Sequence, residues 1–246
     1  MRSKHASSSR VGSARALVPA LILSACAAAA GPEASAPRTT PKLVSFPTSD
    51  GGVVYADLYG DGNQGVVLAH GGRFDKESWA DQAQALAQAG FRVLAIDFRG
   101  YGQSRAGGQS KDPYDGLYLD VLAAVAYLRQ GHVTSVSVIG ASMGGGAAAE
   151  AAASCWPGEI DRVVLLAHSS IEHPEKIQGR KLFVVSRKDL NADGTTRLTQ
   201  IREQYEKAVQ PKELLVLDGS AHAQFLFGTE QGHKLMKEIL RFLSAP

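Results

Sequence analysis

The stretch Ser137-Val138-Ile139-Gly140-Ala141-Ser142-Met143-Gly144-Gly145-Gly146 runs straight into a series of alanines. A short apolar strand thus meets Ser142, which has glycine two residues before it and two after, and then a helix of small residues. That order forces one hydroxyl into the open at the end of a buried sheet, because the turn is too sharp for side chains beside it. In a chain with 26 glycines the spacing alone arises by chance about 0.2 times, so its context must carry the reading. A serine presented in this way is suited to attack on an acyl carbon if the chain also supplies a base, an orienter for that base and donors for the oxyanion. His222, in Asp218-Gly219-Ser220-Ala221-His222-Ala223, is the candidate base. The candidate acid is Asp189, which follows Phe183-Val184-Val185-Ser186-Arg187-Lys188. Asp193, four residues on, is either a turn residue or the acid itself. Asp189 is preferred because it lies closer to the end of its strand.

Those side chains need a scaffold, and the pattern along residues 42–246 provides one. Short apolar runs at 65–70, 92–97, 133–141, 162–167, 181–186 and 214–217 alternate with helical segments at 79–89, 114–130, 145–154, 195–209 and 232–243. Two further runs, 42–46 and 53–59, bracket Asp50-Gly51-Gly52 as an opening hairpin. Apolar runs without polar alternation imply strands buried on both faces, and the helices between them imply a parallel sheet. The expected fold is a single α/β domain with an antiparallel start. Its functional groups gather at the carboxyl ends of the strands, which carry His70, Asp97, Ser142, His168, Asp189 and His222.

These segments together resemble the α/β-hydrolase superfamily across nearly the whole of residues 42–246. The candidate triad follows the family's chain order of Ser, Asp, His. His70-Gly71-Gly72 with Trp79 downstream is similar to the family's oxyanion segment, and Asp97-Phe98-Arg99-Gly100-Tyr101-Gly102-Gln103-Ser104 to its D-x-R-G-x-G-x-S loop. The resemblance implies that the backbone N–H groups of Met143 and Gly72 hold the oxyanion. Arg73 and His168 become candidate substrate contacts, with plain packing an equal alternative for His168. His70 is expected to shape its loop rather than move protons. Only about 12 residues separate the sixth and seventh strands, where family members often carry a lid. An open, lidless site is therefore expected, in outline like the dienelactone-hydrolase type but with serine in place of that group's cysteine. The reaction expected is cleavage of carboxylic esters with small or exposed acyl groups. A thioesterase, an amidase or peptidase, an acyltransferase, or a non-catalytic ligand-binding protein would share the same fold and pocket.

No metal or organic cofactor is implied. Glu172, His173 and Glu175 lack the spacing of a metal motif, and the glycines at 100, 102, 107 and 108 open no helix in a dinucleotide-binding pattern. Residues 1–25 read as an export signal: Arg2, Lys4, Arg10 and Arg15 with no acidic residue, then a short apolar run. Leu23-Ser24-Ala25-Cys26 resembles the lipobox of bacterial lipoproteins, which would place a lipid on Cys26 and the protein in the periplasm or cell envelope. Residues 26–41, rich in Ala, Pro, Ser and Thr, read as a disordered tether reaching on the order of 20 Å. The chain has 26 basic and 24 acidic residues; the leader holds four of the basic ones and no acidic one, leaving 22 against 24. That balance gives nucleic acid nothing to bind. With Cys26 lipidated, Cys155 has no partner, and it reads as a small buried hydrophobe.

Overall fold

The computed structural model of the chain describes residues 39–107, 112 and 114–245. The leader, Cys26 and most of the expected tether lie outside them. The tether's last residues are held against the domain: Thr39 donates its N–H to Gln84 Oε1 at 3.1 Å.

Among the described residues, eight strands form one sheet. They are β1 Lys42–Pro47, β2 Val53–Tyr59, β3 Gln64–Ala69, β4 Phe91–Ile96, β5 Ser135–Ala141, β6 Arg162–Leu166, β7 Arg180–Ser186 and β8 Lys212–Leu217. Their order is β1-β2-β4-β3-β5-β6-β7-β8. The two opening strands run antiparallel to each other and to β4, and all later pairs are parallel. Among the described residues, five helices cover the sheet: α1 Ala80–Gln88, α2 Leu117–Gln130, α3 Met143–Ser154, α4 Arg197–Lys207 and α5 Gly232–Ser244. This is the expected α/β architecture. The helix expected from residue 114 begins three residues later, because Gly116 takes a left-handed conformation at φ 75° just before it.

The strands are apolar throughout because both of their faces are covered. In β3, Val67 and Ala69 point into the core that holds α2, α3 and α4, while Val66 and Leu68 point into the one that holds α1 and α5. The alternation is the two-residue period of a strand, with helices waiting on each side. Helix α5 buries Leu235, Ile239, Phe242 and Leu243, spaced as one stripe of a helix. Helix α3 has no such stripe. Its glycines and alanines are buried nearly all round, which lets its backbone approach the sheet closely. A Cβ on Gly140 of β5 would stand 2.3 Å from the carbonyl oxygen of Gly144.

The crossing from β6 to β7 covers residues 167–179 and contains only a short turn of 3-10 helix at Pro174–Lys176. No lid is inserted at this crossing. On the other side, the loop after β4 is pinned by Arg99. Its guanidinium lies 2.7 Å from Asp120 of α2 and 2.7 Å from Asp50 of the opening turn, and hydrogen bonding to Arg99 holds the Asp50 carboxyl down to about 2.

Candidate active site

Ser142 stands between β5 and α3 with φ 52° and ψ −112°. A non-glycine residue in this region costs on the order of 1–3 kcal/mol, so the surroundings must hold it there. They do so through its own backbone. Ser142 N–H donates to Leu166 O at 2.9 Å, and Ser142 O accepts from Gly146 at 3.0 Å and Ser169 at 3.1 Å. Gly144 has to lack a side chain, since a Cβ there would stand 2.4 Å from His70 O. The hydroxyl is thereby aimed away from the sheet and into a cavity of about 620 Å³.

Asp189 arrives from the end of β7 and His222 from the end of β8. The loops that carry them are stitched together: Lys188 N–H donates to Gly219 O at 2.9 Å, and Ser186 Oγ donates to Ala221 O at 2.5 Å. His222 Nδ1 lies 2.7 Å from Asp189 Oδ2, and His222 Nε2 lies 2.8 Å from Ser142 Oγ. A carboxylate only accepts, so the imidazole carries its proton on Nδ1 and leaves Nε2 free to accept the serine proton. Asp189 is 3% exposed and His222 31%, so the acid is sealed in while the ring faces the cavity. Arg197 Nε, at the start of α4, lies 3.4 Å from the same Asp189 oxygen. Asp193 is elsewhere: its Oδ1 closes a surface turn by accepting from Thr195 N–H at 3.0 Å and Thr195 Oγ1 at 2.6 Å.

The Gly72 loop and Met143 line the cavity beside Ser142. Met143 is the first residue of α3, so its N–H has no acceptor within the helix. The neighbouring Gly71 N–H is already taken, donating to Gln224 Oε1 at 2.7 Å, and Tyr101 Oη donates to Gly72 O at 2.9 Å. His70 shapes this loop from behind. Its Nδ1 donates to Gly71 O at 2.9 Å and its Nε2 accepts Phe98 N–H at 3.2 Å, a pattern that requires the neutral ring. Burial pushes its pKa down, which favours the same form.

Of the two candidate substrate contacts, Arg73 lines the cavity. His168 does not. It is wholly buried, packed edge-on against Phe183 at 5.4 Å between ring centroids. Packing is its place, because Ala167 turns at φ 44° and carries the next side chain inward. His173 bonds Glu175 on the surface, and no metal-holding cluster occurs among the described residues. Cys155 is free, and burial raises its thiol pKa. Sequence reasoning missed Gln224, Phe225, Arg197 and Glu150. No motif marks them, and each reaches the site only through the folded chain.

Residues 65–205 match the model of the alpha/beta hydrolase fold family. A non-heme haloperoxidase of Rhodococcus erythropolis is 34% identical over 118 residues, which cover 48% of this chain and 41% of that protein. The chain thus spans about two fifths of that relative's length. Among solved structures, the esterase Pf2001 of Pyrococcus furiosus superposes with a TM-score of 0.67 at 19% identity, covering 82% of this chain and 91% of that one. An esterase of Exiguobacterium antarcticum superposes with a TM-score of 0.66 at 16% identity, covering 82% and 99%. Likenesses at such identity speak for the fold, and the family match speaks for descent. This chain belongs to the alpha/beta hydrolase fold family.

Proposed function

We propose that the protein is a serine hydrolase that cleaves carboxylic esters with small or exposed acyl groups. One observation carries the reading: the unbroken relay from Ser142 Oγ through His222 to Asp189, at 2.8 and 2.7 Å, opening on a cavity with no lid inserted between β6 and β7. His222 takes the serine proton as Ser142 Oγ attacks the carbonyl carbon. The N–H groups of Met143 and Gly72 receive the charge that builds on the carbonyl oxygen. His222 then protonates the leaving alcohol, and the acyl-enzyme is cleaved by water activated by the same ring. Asp189 fixes the tautomer and stabilises the imidazolium. Similarity to proteins named as esterases supports an ester over a thioester or amide. In the cell, the proposed place is outside the cytoplasm, on a membrane through lipid at Cys26, as the leader's layout suggests.

Labelling with a fluorophosphonate followed by peptide mapping tests the core of this. Label on Ser142, lost in Ser142→Ala and His222→Ala together with at least about 10³-fold of ester turnover, is the expected result. Full activity in either variant would sink it. A chain-length series of nitrophenyl esters should favour short acyl groups. Cys26→Ser should move the protein from membranes to the soluble fraction.

A further inference from the structure

The cavity extends from Ser142 along one face of α3, and on that face lies a charge which ester cleavage leaves unused. Met143, Gly146, Ala147 and Glu150 all line it, and at 3.6 residues per turn these four share one stripe of the helix. Glu150 follows Ser142 by eight residues, about 12 Å along the axis at 1.5 Å per residue. Between them the floor stays low, because Gly146 has no side chain where Ser169 packs over it; an added Cβ would stand 3.2 Å from Ser169 Cβ.

Glu150 is the only charged residue of α3. Its helical neighbours three and four positions away are Gly146, Ala147, Ala153 and Ser154, so none of them supplies a cation. No ion pair or hydrogen bond engages its carboxylate among the described residues. Glu150 is exposed to solvent, yet it lines the cavity on the same stripe as Met143 and Gly146, and partial burial there pushes its pKa up. Tyr114, 63% exposed, lines the same cavity and offers an aromatic face, which attracts cations. Among the described residues, the lining's one permanent cation is Arg73, which sits on the Gly72 loop at the nucleophile's end and is not paired with Glu150.

We infer that Glu150 selects for esters carrying a positively charged ammonium group on the order of 10 Å from the scissile carbonyl, the span from Ser142 set by two turns of α3. The inference rests on Ser142 being the ester-cleaving nucleophile. Binding energy gathered at Glu150 holds the ester across the cavity while its carbonyl lies at Ser142, and a neutral ester of the same shape forgoes that contact.

Two matched pairs of nitrophenyl or simple alkyl esters test this. In one pair the acyl chain ends in trimethylammonium or in its uncharged tert-butyl counterpart; in the other the alcohol does. The wild type should favour the charged member of at least one pair by about tenfold in kcat/KM. That ratio should fall towards one in Glu150→Gln, invert in Glu150→Lys, and shrink as salt is added. A wild-type ratio near one in both pairs, or a ratio that survives Glu150→Gln, overturns the inference. Neutral-ester turnover and fluorophosphonate labelling report separately on the hydrolase reading. Calorimetric binding of the same pairs to Ser142→Ala carries the test without turnover. Tighter binding of the charged member that vanishes in Ser142→Ala/Glu150→Gln supports the inference, and equal binding of both members refutes it.

Discussion

Gln224 Oε1 accepts the backbone N–H of Gly71 at 2.7 Å across 153 residues of sequence. This bond ties the loop that carries His222, the proposed base, to the loop that carries Gly72, a proposed oxyanion donor. The amide is buried, and its Nε2 donates to Ser78 Oγ at 2.9 Å. Gln224→Leu would leave a buried N–H unpaired, at about 1–3 kcal/mol, and loosen the oxyanion loop. We expect kcat to fall about tenfold with KM little changed, since the interaction serves the transition state. Gln224→Glu, which still accepts, should recover most of the loss. A rise in KM at unchanged kcat would show that Gln224 acts on the bound substrate instead.

Asp189 and Asp193 separate cleanly in the structure, and kinetics should separate them too. Asp189→Asn replaces an acceptor-only carboxylate with an amide that can also donate to Nδ1, so the His222 tautomer is no longer fixed and its charged form loses its counter-ion, and kcat should drop by about 10³-fold or more. Asp193→Asn disturbs only a surface turn and should stay within about twofold of the wild type. The reverse ranking would reassign the acid.

Arg99 holds Asp120, which is fully buried, and Asp50. In Arg99→Leu the Asp120 carboxylate loses its countercharge inside the protein, so stability should fall by about 3–5 kcal/mol. Urea denaturation measures this. Restoring much of the stability by pairing Arg99→Leu with Asp120→Leu would confirm that the stranded charge is the cause, and no restoration would point to lost packing.

His168 makes stability depend on pH. It is wholly buried, neither ring nitrogen has a partner of hydrogen-bonding geometry, and burial, only partly offset by Gln204, pushes its pKa down to about 4 from 6.5. The unfolded chain therefore takes up this proton first as pH falls. The stability present above about pH 6.5 is lost progressively down to about pH 4, by about 3 kcal/mol in all. His168→Leu should flatten that part of the profile. A slope identical to the wild type's between those pH values would show that other groups carry it.

How much of this was legible before folding depends on the kind of information. The strands could be read because burial on both faces leaves an unbroken apolar run, as in Val163–Leu166 and Leu182–Val185, and the nucleophile because its turn demands glycines at fixed spacing. Asp189 could be favoured over Asp193 because distance from a strand end is countable along the chain. His168 could not be assigned, since its direction depends on the positive φ at Ala167, a residue whose type gives no sign of it. Sheet order was equally hidden: β4 sits between β2 and β3, a consequence of crossover geometry and not of local pattern. Gln224, Arg197 and Glu150 matter only through partners or surfaces supplied by distant segments.

The bare crossing from β6 to β7 has an evolutionary corollary. With no lid inserted at this crossing, the esters that the proposed hydrolase accepts would be set by single side chains along the groove, so one nucleotide change at a position such as Glu150 or Arg73 could redirect it. The same 13-residue bridge is also where an insertion would cost least, because a surface loop pays little in closure entropy for added length. An insertion there would add a wall to the groove without disturbing the sheet that aims Ser142.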